Sequence, residues 1–154
     1  IEMLKKTLDG YKGQTKLLLE NSAGAGEIIG DDLEELAEII QGVGSPAIVG
    51  ICLDTQHSFA SGYDWRDFNS TLKKIDSEIG LEKIKLIHAN DSQAELGSNK
   101  DRHEHIGQGK IGRDAFKNIV SFAKKNNIDI ILETEHEAVV EDIKLLKYLR
   151  NKLK

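Results

Sequence analysis

The sequence predicts an α/β fold in which parallel strands carry outer helices, arranged as a partial TIM-type (β/α) barrel with about four of the eight βα units. Four short segments are continuously apolar and lack polar alternation, which is typical of buried parallel strands. Amphipathic helical patterns separate these segments, and such alternation indicates a parallel sheet covered by helices. Glu20, Asp54 and His88 follow one another at intervals of 34 residues, which favours a repeated barrel element over a doubly wound sheet.

Each predicted element has its own signals in the sequence. The strands are expected over 16–21 (KLLLEN), 47–54 (AIVGICLD), 84–91 (IKLIHAND) and 128–135 (IDIILETE). The helices are expected over 1–10, 31–42, 64–80, 112–127 and 138–154. Asp31 or Asp32 starts the second helix and Gly42 stops it, while Gly80 ends the third helix.

Composition is typical of a globular protein. The 154 residues suffice for a single domain, 1–154, with a real core. Charged residues make up 31% of the chain and hydrophobic residues 39%, a composition that excludes a disordered tail. No apolar run is long enough for a bilayer span and no signal peptide opens the chain, so we expect no membrane partner and a cytoplasmic location. The single cysteine, Cys52, excludes an internal disulfide and is interpreted as a small core residue, not as a nucleophile.

The charge balance bears on the class of partner. Twenty-six acidic residues against 21 basic ones give a net charge of −5, whereas nucleic-acid binders usually carry a basic balance. That argument against a DNA partner weakens if divalent metal ions neutralise a cluster of acids, because the ions then belong to the charge count.

Metal-type side chains stand at the end of every predicted strand. They are Glu20, Asp54, His88 and Glu133. Because the carboxyl ends of parallel strands meet on one face, these four side chains are expected at one place and at one depth. Mixed nitrogen and oxygen ligation suits Zn²⁺, Mn²⁺ or Fe²⁺ better than Ca²⁺ or Mg²⁺. The alternative for Asp54 is a helix N-cap with His57 as a solvated first-turn residue, and the other strand ends argue against it.

A second candidate group lies in the loops. Asp101 and His103 are two residues apart, so their side chains point the same way in an extended segment. His57 follows Asp54 by three residues and can face them. These three residues predict a second metal site with room for water or phosphate. The alternative is that DRHEH is a solvated polar turn.

Several further polar residues have two interpretations. Arg102 is a candidate phosphate contact. Asn21, Asn90 and Asp91 stand beside ligands and either support them or satisfy the backbone. His105 and His136 are interpreted as polar loop histidines, with an outer-shell partner of a ligand as the alternative for His105. The remaining acids near the end of the chain are interpreted as loop and helix-start residues, namely Glu135, Glu137, Glu141 and Asp142.

Four stretches resemble, in order and spacing, the C-terminal half of the endonuclease IV family over essentially the whole chain. They are LLLENSAGAG, GICLDTQHSFASGYD, LIHANDS with GSNKDRHEHIGQGKIG, and ILETE. The resemblance implies a zinc-dependent enzyme of base excision repair. It cuts damaged double-stranded DNA on the 5′ side of an abasic site and leaves a 3′-hydroxyl, using a trinuclear zinc cluster at the C-terminal face of an eight-stranded TIM barrel.

The resemblance also assigns roles to individual residues. Glu20 resembles the carboxylate that bridges two zinc ions, and Asp54, His88 and Glu133 resemble its companions on the second metal. His57, Asp101 and His103 resemble the ligands of the third metal. Glu133 and Glu20 are the expected catalytic residues, with Glu133 orienting the attacking water or accepting its proton.

The chain departs from the family in its length. Two histidines of the family's remaining zinc come from the N-terminal half of the barrel, so one metal site is expected to be incomplete here, and manganese is an alternative metal. The opening helix has neither cap nor initiator methionine, which indicates a piece of a longer chain.

Two other functions remain open on the sequence alone. One is a metal-dependent sugar isomerase or epimerase, which also gathers carboxylates and histidine around a divalent ion but does not need the loop site. The other is an inactive metal-binding half-barrel. Because its edge strands at 16–20 and 128–133 would be open, such a half-barrel is expected to form a homodimer or to await its N-terminal half.

Overall fold

A computed structural model describes residues 1–152 of the chain. Its helices are α1 (Glu2–Leu8), α2 (Leu33–Val43), α3 (Thr55–Ala60), α4 (Phe68–Glu78), α5 (Arg113–Asn126) and α6 (Val139–Lys152). Its strands are β1 (Leu17–Glu20), β2 (Ile48–Asp54), β3 (Ile84–His88), β4 (Asp91–Ser92), β5 (His103–Glu104) and β6 (Asp129–Ile131). Two 3-10 turns, Leu81–Lys83 and His136–Ala138, precede β3 and α6. The last two residues of the helix predicted over 138–154 lie outside the described part.

The main sheet has four parallel strands in the order β1-β2-β3-β6. The order of these strands in the sheet is therefore the same as their order in the sequence. The strands β4 and β5 form a separate small sheet. A doubly wound sheet reverses its strand order at a switch point, and the main sheet does not. The prediction of a partial barrel wall of about four βα units is confirmed.

The core lies between this sheet and its helices. Ile51, Leu53 and Ile87 on the central strands are almost completely buried, as are Phe59 of α3 and Phe116 of α5. Central strands lose water on both faces, which explains why their sequences are continuously apolar. No helix within residues 1–152 is long and apolar enough to cross a membrane.

The helix boundaries differ from the predicted ones where capping decides them. Asp32 caps α2 by accepting the N–H of Glu34, but the helix continues through Gly42 and ends at Gly44. Gly44 adopts a left-handed conformation (φ 63°) and its N–H donates to Ile40, so it is the stop signal that Gly42 was predicted to be. Likewise α4 starts after the N-cap Asp67 and not at residue 64.

Several short elements were not predicted. The short helix α3 follows β2 without a loop, and the antiparallel pair β4–β5 joins the end of β3 to the polar segment 101–105. In that pair Asp91 faces Glu104 and Ser92 faces His103. The interpretation of DRHEH as a solvated turn is therefore wrong for His103 and Glu104, whose backbone is paired, whereas Asp101 and Arg102 are exposed.

The outer strands of the sheet are β1 and β6, as expected. Leu17 on β1 and Ile131 on β6 are 38% and 48% exposed, which is unusual for apolar strand residues of a closed barrel. Beside β6, a groove of about 590 Å³ runs between α5 and α6. Its apolar lining includes Ile128, Ile130 and Leu132.

Candidate metal centre

The four predicted strand-end residues all lie at the carboxyl end of the main sheet, but not at one depth. Glu20 ends β1, Asp54 ends β2 and His88 ends β3, whereas Glu133 lies two residues beyond the end of β6. Asp54 is level with His88, but Glu20 is level with Cys52, two residues earlier. The expectation of a common depth is wrong because neighbouring strands are staggered. Residues two apart on a strand share a face, so the side chains still point to one place.

These four residues, called here the strand-end group, converge closely. His88 Nδ1 lies 2.9 Å from Glu20 Oε1 and 3.2 Å from Glu133 Oε2. One nitrogen or oxygen atom from each of Glu20, Asp54, His88 and Glu133 fits within a set whose members are all within 4.8 Å of one another. One imidazole and three carboxylates at this spacing match the donor set that a transition metal such as zinc takes.

Asp54 has two roles at once. It is completely buried, and its Oδ1 accepts the N–H of His57 at 2.8 Å, so it is the N-cap of α3. The cap interpretation that the sequence argued against is therefore correct for Asp54, but its second part is wrong because the His57 side chain is only 14% exposed. The cap does not exclude ligation, because each carboxylate oxygen has two lone pairs. The other oxygen, Oδ2, accepts from the amide of Asn90 at 2.6 Å.

The three residues of the second predicted site, called here the loop group, also meet, although His57 lies in α3 and His103 in β5. His57 Nε2 lies 3.3 Å from His103 Nε2 and 3.5 Å from Asp101 Oδ2, and His103 Nε2 lies 3.4 Å from Asp101 Oδ1. Asp54 forms a compact set with the same two histidines and so stands between the two groups. The structure thus brings all seven sequence-predicted candidate ligands together.

The backbone orients both histidines of the loop group. Nδ1 of His57 faces the carbonyl oxygen of Asn21 at 2.9 Å, and Nδ1 of His103 faces that of Glu133 at 3.3 Å. A carbonyl only accepts, so each Nδ1 carries the proton and each Nε2 lone pair points toward the other histidine and Asp101. This is how proteins present histidine to a metal.

The site is strongly acidic. Within residues 1–152, the ion-pair partners of Glu20, Asp54, Asp101 and Glu133 are all histidines. Burial alone would lower the pKa of His57, but the charge of Asp54, the Asn21 carbonyl and the charges of Asp101 and Glu20 outweigh it and raise that pKa. Carboxylates held this close repel one another, and a divalent cation would remove the repulsion.

Cys52 lies beside the strand-end group, which its apolar sequence context did not indicate. Its sulfur is within 4.8 Å of ligand atoms of Glu20 and His88. Burial, with the nearby charges of Glu20 and Asp54, raises the pKa of Cys52 to about 12, so the thiol stays protonated at neutral pH. The structure agrees with its interpretation as a core residue and not as a nucleophile.

The two asparagines beside the ligands support them. Asn21 Oδ1 accepts the N–H of Asp54 at 2.7 Å, and its amide donates back to the Asp54 carbonyl at 3.2 Å. Asn90 donates to the Asp54 carboxylate and accepts the N–H of Glu133 at 2.9 Å. One asparagine therefore ties β1 to β2, and the other ties β2 to the segment after β6.

Asp91 instead satisfies the backbone. Its carboxylate is completely buried and accepts N–H groups from Ser92, Gly107, Ile111 and Gly112. Gly109 completes this cradle, because a Cβ there would meet the Ser92 carbonyl and lie 2.6 Å from Asp91 Oδ1. The IGQGKIG signature thus packs its loop around one carboxylate.

The remaining candidates lie at the rim. Arg102 is exposed and its guanidinium donates to the carbonyl of Asp101. His136 is exposed in the second 3-10 turn, in agreement with its interpretation as a polar loop residue. Nδ1 of His105 lies 2.8 Å from the Asp142 carboxylate, and this hydrogen bond raises the pKa of His105. Asp142 lies in the first turn of α6 as expected but is buried, which was not predicted.

Comparison with known proteins supports this description. Residues 1–150 match a family model described as "Xylose isomerase-like TIM barrel". The chain is 42% identical over 154 residues to a "Probable endonuclease 4" of Halothermothrix orenii, covering 97% of the chain and 55% of that relative. It is 39% identical over 143 residues to "Apurinic-apyrimidinic endonuclease 1" of Saccharomyces cerevisiae, covering 89% of the chain and 39% of that relative.

A solved structure gives the same result. The crystal structure of endonuclease IV from Thermus thermophilus superimposes with a TM-score of 0.76 at 35% identity, covering 94% of the chain and 52% of that structure. The chain spans about half the length of most of the relatives it matches. With its sheet order, its strand-end residues and this match over nearly all of its length, the chain belongs to the xylose isomerase-like TIM barrel family and, within it, to the endonuclease IV group.

Proposed function

We propose that the chain carries part of the active site of a zinc-dependent endonuclease that hydrolyses the DNA backbone on the 5′ side of abasic sites. One observation carries this proposal: the strand-end group and the loop group lie side by side, and Asp54 of the strand-end group also forms a compact set with the two histidines of the loop group. The names of the relatives, endonuclease 4 and apurinic-apyrimidinic endonuclease 1, support it. The proposal places the protein in base excision repair, and its free Cys52 fits a reducing cytoplasm.

The donor atoms fit zinc, with manganese as the alternative. Glu20 Oε1 lies 2.9 Å from His88 Nδ1 and 3.7 Å from His57 Nδ1, so this carboxylate lies at the border between the strand-end group and the loop group. When bound, divalent ions supply Lewis acidity and make water a nucleophile at neutral pH. The proposed set is Glu20, Asp54, His88 and Glu133 at one position, and His57, Asp101 and His103 at another.

The chain's own residues then divide the work. The Glu133 side chain is 44% exposed at the carboxyl end of the sheet, where its carboxylate can orient the attacking water and take its proton. Glu20 holds the neighbouring position between the two groups. Arg102, on the exposed rim next to Asp101, supplies a cation for a DNA phosphate.

A sugar isomerase of the same fold would use the strand-end group but would have no need of the loop group. The two functions separate in one experiment, which measures cleavage and binding of a duplex with one abasic site, with and without added zinc. We expect zinc-dependent nicking 5′ to the abasic site, and binding that weakens as salt rises because phosphate contacts release counterions. Turnover of an aldose without binding to the abasic duplex would assign the chain to the isomerases instead.

We propose further that the two open sheet edges are covered by additional strands. Within residues 1–152, the outer sides of β1 and β6 have no neighbouring strand, and the exposed Leu17, Ile131 and the apolar groove beside β6 flank these edges. Each buried polar group left unpaired costs about 1–3 kcal/mol, against a total stability of about 5–15 kcal/mol for a small domain. In a longer protein the other half of the barrel would supply these strands, and in the isolated chain a second copy would.

Light scattering of the purified chain tests this assembly. We expect a homodimer at dilute concentration, since a two-fold axis along the barrel sets β1 of one copy beside β6 of the other and keeps all strands parallel. A well-folded, monodisperse monomer would contradict the proposal.

A further inference from the structure

Asp142 is a buried carboxylate whose hydrogen bonds reach two separate segments. It is 3% exposed and lies in the first turn of α6. Its Oδ1 accepts the N–H of Ile106 at 2.9 Å. Its Oδ2 accepts the hydroxyl of Thr134 at 2.8 Å and lies 2.8 Å from Nδ1 of His105. The carboxylate is therefore an acceptor for three groups from two places in the sequence.

Both segments carry candidate metal ligands. Thr134 directly follows Glu133 of the strand-end group, and His105 and Ile106 follow His103 of the loop group by two and three residues. The segments also meet each other, because Nδ1 of His103 donates to the Glu133 carbonyl at 3.3 Å. Asp142 therefore joins the two segments by hydrogen bonds, and the contact between His103 and Glu133 joins them a second time. Together with the backbone of each segment, these links form a closed ring that contains one candidate ligand of each group.

The helix that carries Asp142 packs into the core. Leu149, two turns further along α6, is 4% exposed and belongs to the main core. The first turn of a helix is also where its dipole favours negative charge, so the Asp142 carboxylate is well placed to accept hydrogen bonds.

We propose that Asp142 is a positioning residue for the metal centre, fixing the segments of His103 and Glu133 relative to each other from outside the ligand set. This inference rests on the proposed function, since it assigns a role toward the metal. It differs from ordinary fold stabilisation in what it predicts. Loss of Asp142 would loosen both ligand segments and weaken metal binding beyond what an equal loss of stability elsewhere would cause.

The test uses three variants of the full chain. Asp142→Asn keeps the shape of the side chain and removes the charge and the acceptor at Oδ2. Thr134→Val breaks only the link to the Glu133 segment. Ile75→Val shortens a completely buried side chain of α4, far from both segments in the sequence, and serves as the control for lost stability.

Two readouts are compared. The first is hydrogen exchange of metal-free protein in peptides covering 103–106 and 132–135. The second is zinc affinity by competition with a chelator, with the visible spectrum of the Co²⁺-loaded protein as a report on ligand geometry. In Asp142→Asn we expect faster exchange in both peptides, an altered Co²⁺ spectrum and about 10-fold weaker zinc binding, the size usual for partners of metal ligands. Thr134→Val should speed exchange only in 132–135, and Ile75→Val should change neither peptide specifically nor the zinc affinity.

The outcomes separate this inference from the proposed function. Unchanged exchange in either peptide of Asp142→Asn overturns the inference, as does zinc affinity that falls equally in Ile75→Val. If the parent chain itself binds no zinc, the proposed metal centre fails, and the exchange result alone then decides whether Asp142 holds the two segments.

Discussion

Replacing Asp54 by Asn is expected to abolish most of the rise in melting temperature that zinc produces. Asp54 belongs to the strand-end group, forms a compact set with both histidines of the loop group, and is completely buried. A ligand that binds only the folded state stabilises it by about 2.7 kcal/mol at a hundred times its Kd. For a chain of this size, each kcal/mol of added stability raises the melting temperature by roughly 2–4 °C. Differential scanning calorimetry with and without zinc measures the effect directly.

The asparagine makes this a test of charge and not only of folding. Its side-chain oxygen can still accept the N–H of His57 and cap α3, so the metal-free variant is expected to fold, although with lower stability because its new NH2 group faces the donating amide of Asn90. Glu78→Gln is the matched control, because Glu78 accepts the Tyr63 hydroxyl at 2.7 Å in another part of the molecule. A full zinc-induced rise in Asp54→Asn would show that Asp54 is only a helix cap.

Much of the fold was predictable because its signals are local. Continuous apolar runs identified β1, β2, β3 and β6, and regular spacing of strand-end residues favoured a barrel over a doubly wound sheet. The elements that escaped prediction depend on distant partners. The strand His103–Glu104 pairs with Asp91–Ser92 across the chain, and two-residue strands carry no periodicity of their own. Gly42 and Gly44 both resemble stop signals, and only the left-handed backbone at Gly44 distinguishes them.

In the candidate site too, features with local sequence signals were predictable and features that depend on pairing or packing were not. Carboxylates and histidines at strand ends were recognisable, because apolar strands have no other use for them. The stagger between Glu20 and Asp54 was not, because register depends on which residues pair between strands. The burial and hydrogen bonds of Asp142 were not predicted, because an acid in the first turn of a helix has an ordinary explanation. A signal was nevertheless present: Asp142, Leu145 and Leu149 are spaced to share one face of α6, and that face is apolar otherwise.

Replacing His88 or Glu133 by Ala is expected to lower the metal content of the purified protein. His88 Nδ1 contacts both Glu20 and Glu133, so loss of His88 removes the nitrogen donor of the strand-end group. Loss of Glu133 removes one of the three carboxylates of that group. Metal content is expected to fall and not to vanish, because three members of the strand-end group remain and the sheet fixes their positions.

The zinc content per chain is therefore the measurement that tests the proposed metal centre most directly. Elemental analysis is made on the parent, His88→Ala and Glu133→Ala after passage through metal-free buffer, with Arg102→Ala as the control because Arg102 lies on the exposed rim. We predict that the parent and Arg102→Ala retain zinc and that both other variants hold clearly less. Equal zinc content in the parent, His88→Ala and Glu133→Ala would contradict the proposed ligand set.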